Sequence, residues 1–260
     1  MENYVIIVAG GKGVRTGCDM PKQFIPIVNR PLLMHTIEAF HIYNHAIRII
    51  LVLPDGQEVY WRNICADHGF IIPHLIVKGG ETRFHSVKNG LAIVERELIS
   101  KEHETFNKTL IGIHDGARPL IDSNVISNVY QRASSDGGAF PAIPVTDSIR
   151  KTTAKGKNSV SVDRTKYFLV QTPQVFKADI LFKAYKQEYK TQFTDDVSVV
   201  EAAGNCKPSM VEGNPRNIKI TVPLDFAVAE ALMQDQSRDV NRAYSFSKPA
   251  VSCGSKYLSE

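Results

Sequence analysis

The chain predicts an α/β fold: a mostly parallel sheet with helices on both faces and one protruding β-hairpin arm. Three observations lead there. Short β-branched runs alternate with segments of helical period. Glycines and charges follow several of those runs, at the carboxyl ends of parallel strands where ligands gather. After Pro144 a polar stretch alternates with period two on either side of a turn. The first two features make the sheet Rossmann-like, and 260 residues with 43% hydrophobic content can bury the core of one such domain, or of a domain plus an appendage.

The first strand, 4–9 (YVIIVA), is apolar enough to be buried on both faces. It runs into GGKGVRTGCDMPKQ. Gly10, Gly11 and Gly13 let backbone N–H groups approach phosphate oxygens, and Lys12, Arg15 and Lys22 bring positive charge to the same place, which suits a nucleoside triphosphate. A dinucleotide fingerprint would need glycine where Thr16 stands, and a Walker A motif would need Gly-Lys-Ser/Thr. Taken alone, the loop also fits a plain turn with surface cations beside it.

Further strands are expected at 47–53, 71–77, 109–114 and 138–143, with crossover helices at 32–43, 58–67, 83–98 and 123–134. The loops after two of these strands carry Lys78-Gly79-Gly80 and Asp115-Gly116-Ala117-Arg118-Pro119. The arm spans 145–167, turning at Lys155-Gly156-Lys157-Asn158. A lone two-stranded hairpin is marginal in water, so it is expected to pack on a second copy of the chain; a loose loop is the other reading. The chain returns through 168–176 and a helix at 178–189. Thr194 is expected to cap a short helix with Asp195 and Asp196 in its first turn. A last strand at 218–222 precedes a helix at 223–233, and from Gln234 the apolar period fades into a polar, loosely attached tail.

The net charge of +4 is dispersed and no basic run interleaves with aromatics, which argues against a nucleic-acid surface. Cys18, Cys65, Cys206 and Cys253 form no C-x-x-C or Cys/His cluster, so reduced thiols in a cytoplasmic protein are expected, with neither a zinc site nor a disulfide framework. No leader pattern and no membrane-spanning apolar stretch are apparent.

In order along the chain, AGGKGVR with PKQF, GGETRFHSVKNGL, HDGARP, PVTDSIRK, VDR, QTPQVF, TDDVSVVE and VEGNPRNIKIT resemble the motifs of the 2-C-methyl-D-erythritol 4-phosphate cytidylyltransferases of the non-mevalonate isoprenoid pathway, as far as about Met233. The resemblance implies that the phosphate of methylerythritol 4-phosphate attacks the α-phosphorus of CTP and releases pyrophosphate. It implies a single nucleotidyltransferase domain, set at 1–236, with Mg²⁺ as the metal, while the weak core of the arm points to a homodimer through it and the composition leaves a polar tail at 237–260.

By the same resemblance Arg15 and Lys22 stabilise charge on the five-coordinate phosphorus. Ala9, Gly10, Gly11 and Gly13 hold the triphosphate. Gly80 and Glu81 read cytosine mainly through backbone, with Arg83 and Ser86 contributing side chains. Arg164 and Lys219, counted with the catalytic cations, hold the attacking phosphate in line, and Arg118, Ser148 and Thr172 complete the acceptor site. Asp115 would share a Mg²⁺ that keeps most of its waters. His114, on the other face of its strand, is expected to pack and not to ligate. Three positions depart from the family pattern. Gly10 and Gly116 replace a common alanine, expected to be harmless, and Arg216 stands where relatives often carry an acid. Ser148 keeps the hydroxyl of a usual threonine. A ribitol-5-phosphate cytidylyltransferase shares the glycine loop and the lysine of NIK and is the nearest alternative. A nucleotide-binding regulator without turnover is the non-enzyme one.

Overall fold

The computed structural model of the chain describes residues 2–10, 20–100, 103–152 and 158–246. In chain order the elements are β1 (Asn3–Val8), β2 (Pro26–Ile27), β3 (Arg30–Pro31), α1 (Leu32–Tyr43), β4 (Arg48–Leu53), α2 (Glu58–Asp67), β5 (Leu75–Lys78), α3 (Arg83–Ile99), β6 (Leu110–Asp115), α4 (Ser123–Asp136) and β7 (Gly138–Pro144). Then follow β8 (Arg150–Thr152), β9 (Ser159–Ser161), β10 (Phe168–Val170), β11 (Gln174–Lys177), α5 (Ala178–Ala184), α6 (Asp196–Ala203), β12 (Ser209–Glu212) and α7 (Pro223–Phe246).

Alternation along the strands divides the core. Val5 and Ile7 of β1 with Ile49 and Leu51 of β4 face one side, where Leu33, Ile37, Trp61 and Val129 of α1, α2 and α4 cover them. Tyr4, Ile6, Ile50 and Val52 face the other and meet Val87, Leu91, Leu181 and Val200 of α3, α5 and α6. Each such aliphatic side chain contributes about 1.5–3 kcal/mol on full burial. The main sheet runs β10-β7-β11-β6-β1-β4-β5, with β12 also on β7. β1 is parallel to β4 and β6, while β11 is antiparallel to both β6 and β7. The expected doubly covered, mostly parallel sheet is therefore present, and β8 and β9 form the hairpin arm.

Several boundaries differ from expectation. The strand expected at 71–77 pairs only from Leu75, because Pro73 has no N–H for the ladder and Ile71 is 89% exposed. The run 168–176 is two strands, since Gln171 to Pro173 leave the ladder between β10 and β11. The helix expected to 189 stops at Ala184, where Tyr185 turns inward to stack on Phe84 with ring centroids 4.7 Å apart. Asp195, not Thr194, caps α6, accepting from the Ser198 amide at 2.9 Å, and Ser198 answers toward the Asp195 N–H. Residues 218–222 are not a strand. Ile220 makes one backbone bond to Ala117 at 2.8 Å, and the unexpected strand β12 takes the free side of β7. α7 continues past Met233 to Phe246. Its Ala229 packs with Ile27, Leu32, Leu120 and Ile220, which brings the segment before α7 against the loop after β6.

Cys65 and Cys206 are free thiols. Among the described residues no helix is long and apolar enough to cross a membrane.

Candidate active site

The carboxyl ends of β1, β5 and β6 open onto one cavity of about 250 Å³. Three backbone bonds set its rim. Gly116 donates to Val8 at 2.9 Å, Ala9 to Val52 at 2.9 Å, and Gly79 to Leu53 at 2.7 Å. Ala9, Gly10, Lys22, Gly80, Glu81, Arg83, Ser86, Asp115 and Lys219 all line the cavity, so most of the expected site residues come together. Gly11, Gly13 and Arg15 lie outside the described residues.

Gly80 allows its loop to close on the first turn of α3, since a Cβ there would collide with that of His85. Its N–H donates to Ser86 Oγ at 3.1 Å, and Ser86 is buried, so this serine ties the loop to its helix. Gly10 has room for a methyl group. Gly116 does not offer it freely: a Cβ would sit 3.0 Å from Ala9 Cβ and 3.2 Å from Val8 O, so alanine there would be a tight fit, contrary to the sequence expectation.

Asp115 occupies the centre. Lys219 Nζ lies 2.9 Å from Oδ2, Arg118 Nε 3.4 Å from the same oxygen, and Arg83 Nε 3.4 Å from Oδ1. Burial alone would raise its pKa. The charges of Arg83, Lys219 and Arg118 outweigh burial and hold the carboxyl well below the ordinary carboxylate range. Among the described residues no group of three or more His, Cys, Asp or Glu could hold a metal.

Behind Asp115 the core is polar and hydrogen-bonded. The Asp115 N–H donates to Thr172 Oγ1 at 3.1 Å, Thr172 Oγ1 lies 3.0 Å from His114 Nδ1, and His114 Nε2 lies 3.1 Å from Arg118 O. Burial pushes His114 down to about 4, so the ring is neutral at pH 7. A carbonyl can only accept, which puts the proton on Nε2 and makes the Thr172 hydroxyl the donor to Nδ1. His114 thus packs, edge-on to Phe40, as expected. Thr172 does not line the cavity. Its hydroxyl is committed to the back of the Asp115 strand end.

Sequence reasoning missed the buried amides that carry Lys219. Gln171 Nε2 donates to Asn214 O at 2.8 Å and its Oε1 accepts from Asn214 N at 3.2 Å. Asn217 Nδ2 donates to Thr172 O at 2.9 Å, and Arg118 Nη1 donates to Asn217 O at 2.8 Å. The available signal was the pair of amide-bearing motifs, QTPQ and GNPRN. Arg216 turns to α7, with Nη1 3.0 Å from Asp235 and Nη2 donating to Leu232 O at 2.6 Å. Lys22 donates to Ile220 O at 3.0 Å.

Besides Thr172, and Arg118 which reaches Asp115 from outside the lining, two further expected side chains are not brought to the cavity. Ser148 is exposed at the base of the arm, and Arg164 is exposed and donates to Thr146 O. Arg83 lines the cavity, but both its terminal nitrogens are turned to Asp196, at 2.8 and 2.6 Å.

The family profile of 2-C-methyl-D-erythritol 4-phosphate cytidylyltransferase matches residues 3–235. A curated protein of that name from Bacteroides fragilis is 50% identical over 233 residues, which is 90% of this chain and 100% of that protein. A solved 4-diphosphocytidyl-2C-methyl-D-erythritol synthase superposes with a TM-score of 0.72 at 27% identity, covering 89% of this chain and 98% of that one. The 2-C-methyl-D-erythritol 4-phosphate cytidylyltransferase of Thermus thermophilus superposes with a TM-score of 0.67 at 29% identity, covering 90% of this chain and 100% of that one.

Proposed function

Because the chain belongs to the 2-C-methyl-D-erythritol 4-phosphate cytidylyltransferase family, we propose that the cavity at the ends of β1, β5 and β6 receives CTP and that Lys219 and Arg118 receive the acceptor phosphate. The activity is that of the family. The cytidylyl group of CTP passes to 2-C-methyl-D-erythritol 4-phosphate, giving 4-diphosphocytidyl-2-C-methyl-D-erythritol and pyrophosphate in isoprenoid precursor synthesis.

The observation that carries the assignment of roles is the set of cations around Asp115, with Lys22 on the same cavity wall. Two polyanions must meet there, and negative charge must be stabilised on the non-bridging oxygens as phosphorus becomes five-coordinate. Lys22, with Arg15 from the glycine loop, serves the transferring phosphate. Gly80 and Glu81 present backbone groups to cytosine on a loop that Ser86 holds in place. Lys219 and Arg118 keep the attacking phosphate close and oriented, which substitutes positioning for a bimolecular encounter. Thr172 acts from behind, by fixing the Asp115 backbone.

Mg²⁺ fits this donor set. It commonly takes only one or two carboxylates and completes its shell with phosphate oxygens and water, and Asp115 is an ionised carboxylate on the cavity wall. When bound it supplies charge neutralisation on the triphosphate. Ser148 and Arg164, exposed on and beside the arm, reach an acceptor site in a second copy of the chain, which makes the working unit a homodimer.

Pyrophosphate release with CTP and Mg²⁺, measured against methylerythritol phosphate and ribitol 5-phosphate in parallel, tests this reading. Release with the first acceptor alone is expected. Preference for ribitol phosphate would reassign the acceptor, and CTP binding without release from either would favour a regulator.

A further inference from the structure

The TDD segment that opens α6 is given no role by the reaction as described, yet it places a carboxylate in the core. Asp196 is completely buried. Its oxygens accept from Arg83 Nη1 at 2.8 Å, Arg83 Nη2 at 2.6 Å and the Tyr185 hydroxyl at 2.6 Å. A buried ion pair is no better for stability than a well-packed apolar pair, because desolvation offsets the attraction.

Nor does the helix need this carboxylate. Asp195 caps α6. The N–H groups of Asp196 and Val197 both donate to Gln174 Oε1, at 2.8 and 2.9 Å, and Gln174 Nε2 donates to Asp195 Oδ2 at 3.0 Å. With the helix terminus satisfied by other groups, the Asp196 side chain is directed wholly at Arg83 and Tyr185.

Arg83 is the first residue of α3, next to the Gly80 loop, and its Nε faces Asp115 Oδ1 at 3.4 Å. A guanidinium has five donors and pairs with a carboxylate most strongly as a two-pronged fork. Here the fork is spent on Asp196, and Nε is the nitrogen that faces Asp115. Released from Asp196, the same fork could turn onto Asp115 and occupy both oxygens, against the Lys219 contact at 2.9 Å. We infer that Asp196, backed by Tyr185, is a positioning residue for the transfer step: it aims Arg83 so that Asp115 keeps a face open to the substrates.

This rests on the cytidylyl-transfer reading of the cavity. If the wild-type enzyme released no pyrophosphate, that reading would fail. An active wild type with indifferent variants would overturn only the present inference. Asp196→Asn keeps the size and loses the charge, and Arg83→Lys keeps the charge and loses the fork. In each, kcat is expected to fall by ~30-fold or more, and in Asp196→Asn, which lies outside the cavity lining, the CTP dissociation constant from calorimetry without acceptor stays within ~3-fold. The double variant should lose little beyond either single change, as expected for two residues acting as a unit. A merely structural role would lower CTP binding and melting temperature together with turnover. Turnover of folded Asp196→Asn within ~3-fold of wild type, parallel loss of kcat and CTP affinity in that variant, or additive losses of kcat in the double variant would each overturn the inference. Should Asp196→Asn not fold, Tyr185→Phe, which removes one of the bonds, is expected to cost ~3–10-fold in kcat at unchanged CTP affinity; unchanged kcat there would overturn it equally.

Discussion

The surroundings of Asp115 and the arm that starts near Ser148 carry functional groups of the same kind on opposite foundations. Around Asp115, His114, Thr172, Gln171 and Asn217 are buried and hydrogen-bonded to each other or to the loops they support. The donors that meet charge are fixed before substrate arrives, which is the condition for electrostatic stabilisation without reorganisation. Among its described residues the arm has no such support. β8 and β9 pair over three residues each, Arg150, Lys151 and Thr152 are exposed, and the Arg150 side chain adds bonds across to Ser159, at 2.7 and 2.8 Å. Val160 is 53% exposed and Leu169 of the neighbouring strand β10 is 56% exposed. A group that must hold charge in place sits over the core, whereas a group on the arm acquires a fixed position only against another surface.

The largest effect should come from removing the arm. Replacing residues 152–160 by a short glycine linker should convert a dimer into a monomer in sedimentation and abolish acceptor-dependent turnover, with CTP binding retained. A deletion variant that stays dimeric and active would erase the contrast between the two regions. On the fixed side, Lys22→Ala should lower kcat by ~10²-fold or more with a smaller change in CTP binding, the scale of losing one preorganised electrostatic donor. Wild-type turnover would remove Lys22 from the catalytic groups. Lys219→Ala should raise the acceptor KM or depress kcat by roughly tenfold and leave CTP affinity nearly unchanged. An equal loss of CTP binding would show that the two substrate regions are wrongly divided.

The smallest predicted effect concerns stability. His114 is held neutral with a folded pKa of about 4, below the ~6.5 of an unfolded histidine, so between these values the unfolded chain binds the extra proton. Stability therefore rises with pH across this window and is lost as pH falls through it, by roughly 3 kcal/mol in all for this group. His35 and His74, also lowered by burial, act in the same direction. Denaturation midpoints of His114→Gln measured across that window should show a shallower slope than wild type; an unchanged slope would mean that the ring is not held neutral.

The helices at 32–43 and 58–67 were legible to the residue, because each joins a sustained apolar period to a clear break in the chain. The grouping of Lys22, Gly80 and Asp115 was legible too, since glycines and charges after parallel strands converge on one edge of the sheet, whereas Ser86 and Lys219 joined them only through the motif resemblance. The direction of side chains was not. Thr172 reads as a substrate contact in the motif, but the insertion of β11 between β6 and β7 turns its hydroxyl to the Asp115 amide. β12 has too few β-branched residues to announce itself, and the free side of β7 creates it.

What the sequence determined by itself was therefore local or cumulative: the period of each helix, the alternation that splits the core into two faces, the placement of charge in loops, and the ordered motifs that identify the family. Only the tertiary structure decided which polar groups face the cavity and which satisfy one another behind it. Arg83 and Asp196 are far apart in the chain, and neither motif names the other. The physical reason is desolvation: a polar side chain taken out of water must find a partner, and which partner is within reach depends on how the sheet, α3 and α6 pack together.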